Sequence, residues 1–139
     1  MVIGVGDRWR HDDGVGLEVA GRLGAHVAAG EPVALLELLD RAGAAVIVDA
    51  ALSGTVAPGA VHRVDVSRTA LPQQLTRGST HLLGLGEAIE LGRVLGRLPP
   101  RLVVYAVEGA DFSVGVGLSP PVAAAIDAVV QAVRAETAA

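Results

Sequence analysis

The chain has 139 residues, 51% of them hydrophobic and 19% charged, and a formal net charge of −4 at pH 7. That is enough for one domain with a real core, and the acidic balance gives no electrostatic reason to expect a nucleic acid partner. Cysteine and lysine are both absent, which excludes a disulfide framework, a thiolate nucleophile, a Walker-type phosphate loop and Schiff-base chemistry.

MVIGVG, residues 1 to 6, reads as a short strand buried on both faces and ended by glycine. It is too short for a signal-peptide core, and no later segment reaches membrane length without a charge, so a cytoplasmic protein with no membrane contact is expected. From Gly14 to about Leu23 the residues Val15, Val19 and Leu23 recur at helical spacing, with Asp12 or Asp13 available as the N-cap. AHVAAGE, residues 25 to 31, forms a weak connector with no strand pattern. Pro32 opens a short helix that closes near Gly43.

AAVIVDA, residues 44 to 50, is the clearest buried strand and carries Asp49 at its carboxyl end. SGTVAPG is a turn, and AVHRVDV alternates in the way of a half-exposed edge strand. After a polar stretch from Ser67 to Thr80, Leu82, Leu85 and Ile89 mark a helix packed on one side. LPPRLVVYAVEGA supplies a further strand of about seven residues, followed by a glycine-rich loop. The last segment is a helix with Ser119 as cap, Pro120 first, and Val122, Ile126, Val129 and Val133 in one stripe. Strands alternating with helices predict one α/β domain spanning residues 1–139, a three-layer α/β/α sandwich on a mostly parallel twisted sheet of about four to five strands.

In open α/β sheets ligands bind beyond the carboxyl ends of the strands, which singles out Asp13, Asp49 and His81. Asp12 and Asp13 can both be explained by helix capping, but one cap does not need two acids. Asp49 ends a run so apolar that its carboxylate must be hydrogen-bonded, paired or coordinated unless solvated. His81 sits where a helix begins, and the positive end of a helix favours the neutral imidazole that a metal requires. Two carboxylates and one imidazole would make an open site for a divalent transition metal such as nickel or zinc. His11, His26 and His62 fall in loop or half-exposed strand segments and are expected to be solvated. G-V-G lacks the third glycine of a dinucleotide fingerprint, G-x-S-x-G is absent, and so is H-E-x-x-H.

GVGDRWRHDDGVG, IVDAALSGTVAPG, STHLLGLGEAIEL and VEGADFSVGVGLSPPV, in that order and over nearly the whole chain, resemble the hydrogenase maturation endopeptidases. The resemblance implies a peptidase that trims the C-terminal extension from the large-subunit precursor of a nickel-iron hydrogenase once nickel has been inserted. It implies Asp13, Asp49 and His81 as ligands for that substrate-borne nickel, which zinc or cadmium could replace in a crystal. Asp13 and Asp49 are then the candidate catalytic acids, with the nucleophile open and water the working hypothesis. Under this reading Gly4 and Gly6 turn the chain at the strand's end, Asp12 caps the helix and Asp13 faces the cleft. Asp7 replaces the family's usual asparagine and would add a third acid nearby.

Glu108, Gly109, Gly115 and Gly117 also match family positions, where tight turns and a hydrogen-bonded Glu108 explain them better than catalysis does. Trp9, between two arginines, reads as either a staple over the cleft or a partner-docking aromatic. The expected partner is the hydrogenase large-subunit precursor, met by a monomer. Two alternatives stand: a non-catalytic relative that binds metal or precursor as a chaperone, suggested by the missing second strand, and a small nucleotide-binding α/β protein, suggested only by G-x-G.

Overall fold

A computed structural model of the chain describes residues 1–28 and 31–138, with side chains except at 26–28, 32, 80 and 81. Its strands are β1 (Val2–Val5), β2 (His26–Ala28), β3 (Ala44–Ala51), β4 (Val61–Asp65) and β5 (Arg101–Glu108). The helices are α1 (Val15–Arg22), α2 (Pro32–Asp40), α3 (Gln73–Thr76), α4 (Thr80–Leu95) and α5 (Pro120–Thr137), with a 3-10 turn over His11–Gly14. The five strands run in the order β2-β1-β3-β5-β4. All neighbours are parallel except β4, which pairs antiparallel with β5 as the outer strand that its alternating sequence predicts.

β3 and β5 pair over their full lengths, from Ala44 opposite Arg101 to Ala51 opposite Glu108. Successive side chains of β3 point to opposite faces, so one apolar strand feeds two cores. Ile47 packs with Leu35 and Leu39 of α2 and with Leu82, Leu85 and Ile89 of α4. Val46 and Val48 pack on the other face with Val15 and Val19 of α1 and with Val122, Ile126, Val129 and Val133 of α5. This is the expected α/β/α sandwich.

α1 lies unusually close to the sheet. A Cβ on Gly16 would overlap the carbonyl oxygens of Val5 and Val48, and one on Gly4 would overlap Gly16. Gly4 therefore admits the helix, whereas the turn at the strand's end belongs to Gly6, whose φ of 150° suits glycine alone.

The connector at 25–31 was expected to lack a strand; β2 corrects this, and residues 29 and 30 of that stretch lie outside the described ones. β2 is held by main-chain pairing to β1, with Ile3 opposite His26 and Val5 opposite Ala28. Three residues joined through their backbone leave no side-chain periodicity to read. α3 is a second addition, one turn inside the polar stretch before α4.

Candidate functional site

Three segments meet at the carboxyl ends of β1 and β3. After Gly6 the chain runs through residues 7–10 into the 3-10 turn, whose residues contact β3. The Asp7 amide donates to the Asp13 carbonyl at 3.2 Å and the Asp13 amide to the Arg10 carbonyl at 3.1 Å, closing a compact loop. Asp7 is spent locally as an Asx turn, its Oδ1 accepting the Trp9 amide at 2.9 Å. Trp9 itself is 57% exposed, with the Arg8 guanidinium 5.1 Å from its ring centre.

Asp12 does not cap α1, contrary to expectation: the N-cap position is Gly14, with no side-chain bond. The Asp12 side chain is fully buried and turned toward the loop after β5. Its Oδ2 accepts the amides of Ala110 at 2.7 Å and Asp111 at 3.0 Å and the Ser119 hydroxyl at 2.7 Å. Its Oδ1 takes the Ser119 amide at 2.7 Å. Burial pushes the Asp12 pKa up, but these donors outweigh it, and the net shift is below the usual carboxylate value. Ser119 stands at the N-cap of α5 as expected, yet its hydroxyl serves Asp12 instead of the helix.

Asp13, next to this anchor, is 6% exposed. Asp49 lies on β3 two residues before the strand ends, is fully buried, and accepts the Ala50 amide on Oδ1 at 2.7 Å. His81 is the second residue of α4, behind the N-cap Ser79, whose hydroxyl oxygen accepts the Leu82 amide at 3.2 Å. Its ring lies outside the described side chains. Gly78, just before that cap, is pressed against the Leu52 carbonyl, leaving no room for a Cβ. The start of α4 is thereby seated on the end of β3. Among the described side chains no three His, Asp or Glu groups stand close enough to hold a metal ion.

Glu108 ends β5 almost fully buried and works as a hydrogen-bond acceptor, although its donors are not the glycines at 109, 115 and 117 that its sequence context suggested. It holds the turn after β3 by taking the Ser53 amide at 2.9 Å, the Ser53 hydroxyl at 2.6 Å and the Gly54 amide at 3.2 Å. Burial raises its pKa, and the bonds from Ser53, His62 and Gly54 bring it below the usual glutamate range.

His62 donates to Glu108 from Nε2 at 3.1 Å, so it is not the solvated residue expected; its place beside inward-facing Val64 in an alternating strand was the available signal. His11 is likewise engaged, its ring donating from Nδ1 to the Gly117 carbonyl at 2.9 Å while its backbone takes a φ of 45°. The side chain of His26 lies outside the described ones.

The HycI family model, described as hydrogenase maturation protease, matches residues 28–136. Among solved structures, the hydrogenase maturating endopeptidase HybD from E. coli superposes with a TM-score of 0.81 at 25% identity, over 97% of this chain and 89% of that one. The [NiFe] hydrogenase maturation protease HybD from Thermococcus kodakarensis gives 0.72 at 21% identity, over 96% and 95%. A hydrogenase 2 maturation peptidase from a Thaumarchaeota archaeon gives 0.66 at 24%, over 95% and 93%. No curated protein matches the chain by sequence. No described helix is long and apolar enough to cross a membrane.

Proposed function

Since the chain belongs to the hydrogenase maturation protease family and is thus a peptidase, we propose that it removes the C-terminal extension from a nickel-loaded hydrogenase large-subunit precursor. The observation that carries this reading is the family match over 28–136, joined to a pair of buried carboxylates, Asp13 and Asp49, at the carboxyl edge of the sheet.

In this reading the nickel arrives as part of the substrate. Asp13, Asp49 and His81 are its ligands on the enzyme, a donor set of two carboxylates and an imidazole that suits a divalent transition metal, including zinc or cadmium as substitutes. The metal would fix the scissile peptide in place, and water would attack its carbonyl with Asp13 or Asp49 taking the proton. Two features support these roles. Asp13 follows directly on the Asp12 anchor, and Asp49 is built into the strand that pairs with both β1 and β5, so neither acid rides on a free loop. A cytoplasmic monomer working on one partner completes the proposal.

A non-catalytic, precursor-binding relative was suggested by the loss of the second strand. β2 is present, and that reason is gone. The test is intact-mass spectrometry of a nickel-loaded large-subunit precursor from the same organism, incubated with the protein or with its His81→Ala variant. Loss of a short C-terminal peptide only with the unaltered protein supports the reading. No cleavage of a precursor that another family member does cut overturns it.

A further inference from the structure

Two loops at the carboxyl end of the sheet are locked edge to edge. The Gly115 amide donates to the Trp9 carbonyl at 2.8 Å, the His11 amide donates to the Gly115 carbonyl at 2.9 Å, and Arg10 and Gly115 form a parallel β-bridge. The His11 ring adds its bond to the Gly117 carbonyl. This rung joins the two loops that carry Trp9, Val114 and Val116, which stand 57%, 79% and 68% exposed.

Beside them opens a cleft of about 390 Å³ lined by Arg8, Trp9, His11, Gly14, Val116 and Leu118. Glu18 also lines it, its carboxylate 3.5 Å from Arg22. Arg8 and Arg10 are exposed, and among the described residues neither lies within ion-pair distance of a carboxylate, in a chain whose net charge is −4. A tryptophan and two valines displayed on a rigid support, with two unneutralised guanidinium groups beside them, form a surface suited to burial against a partner.

We propose that this cleft docks the stretch of substrate polypeptide beside the bond that is cut, a stretch with a bulky apolar side chain and a carboxylate nearby. The apolar side chain sits against Trp9, Val116 and Leu118, and the carboxylate meets Arg8 and Arg10. The proposal rests on the peptidase reading above.

Continuity with the candidate site selects this occupant. His11 and Gly14 line the cleft and belong to the 3-10 turn that carries Asp13, so a chain seated here lies against that turn. Charge selects its chemistry, since guanidinium groups favour carboxylates and stacking on Trp9 leaves the Arg8 fork free to bind one. A second copy of this chain fits less well, because a two-fold contact through this face would bring four arginines together.

The test measures binding of the immobilised nickel-loaded precursor by interferometry, and its cleavage by intact mass. Trp9→Ala and the double variant Arg8→Glu/Arg10→Glu are compared with the unaltered protein and with the remote charge control Arg134→Glu. Thermal melts confirm that each variant is folded. We expect both cleft variants to weaken binding about tenfold or more and to raise KM with kcat changed less than about twofold, while the control behaves as the unaltered protein does. Cleft variants that bind as tightly as the unaltered protein overturn the docking surface and leave the peptidase reading standing. Binding lost in the cleft variants, with no cleavage even by the unaltered protein, overturns the peptidase reading and upholds the surface. No binding by the unaltered protein overturns the docking proposal.

Discussion

Asp12 and Ser119 are 107 positions apart and joined twice, through the Ser119 amide on one carboxylate oxygen and the Ser119 hydroxyl on the other, each at 2.7 Å. The bond pair ties the turn carrying Asp13 to the first residue of the α5 cap. With the Ala110 and Asp111 amides it forms an anionic knot in which all four hydrogen bonds are donated to the Asp12 carboxylate.

Asp12→Asn places an amide NH₂ among those donors and removes the charge. A loss of about 2–3 kcal/mol is expected, a drop in melting temperature of roughly 10 °C. Ser119→Ala, which deletes one hydroxyl bond, should cost about 1 kcal/mol. Calorimetry on the two variants would refute the knot if Asp12→Asn melted like the unaltered protein.

Acid should destabilise the fold through Glu136. Hydrogen bonds from Arg63 first, then from Tyr105 and Arg101, outweigh its desolvation and hold its pKa at about 2 against an ordinary 4.5. A carboxylate depressed in the folded state stabilises above the unfolded value and loses that contribution as pH falls toward the folded one, here between pH 4.5 and about 2. Asp12 and Glu108, both depressed, act with the same sign. Guanidinium unfolding at pH 6 and pH 3 should show the unaltered protein losing more stability than Glu136→Gln, by about 1–2 kcal/mol once the half-exposed arginines are allowed for. Equal losses would remove Glu136 from the account.

Glycines at two positions of α1 should respond in opposite directions. Gly16→Ala drives a methyl into the Val5 and Val48 carbonyl oxygens and should cost about 3 kcal/mol or more. Gly21→Ala meets nothing within 4 Å and should stabilise by about 0.5–1 kcal/mol through helix propensity. Denaturant midpoints of the two variants settle this, and a neutral Gly16→Ala would contradict the close seating of α1.

Asp49→Asn should abolish cleavage of the nickel-loaded precursor, lowering kcat by about a hundredfold or more, since the amide lacks both the charge and the basicity assigned to that carboxylate. Measured alongside a melt, undiminished cleavage in a folded variant would exclude Asp49 from the chemistry.

Strands and helices whose side chains alternate or stripe were legible from sequence: β3, β5 and α5 lie where their apolar runs put them, and β4 is the edge strand its alternation described. Asp49 was placed on β3 in the same way, and a helix was read to begin near His81, which is the second residue of α4. β2 was hidden because backbone pairing with β1 leaves no mark on three side chains. Asp12 was misread as a cap because its partners, Ala110, Asp111 and Ser119, stand 98, 99 and 107 positions away, and no local pattern encodes contacts at that range. The Glu108 and His62 pair was missed for the same reason, with 46 positions between them.

Both margins of the sheet discourage an incoming strand. On one side β2 offers three residues of backbone among the described ones; on the other, Arg63 of β4 is fastened across to Glu136 and Asp65 is bonded to Ser67. A foreign segment approaching in the plane of the sheet meets a margin that is short or studded with charge. An enzyme whose substrate is itself a polypeptide can therefore handle extended chain without templating its own aggregation.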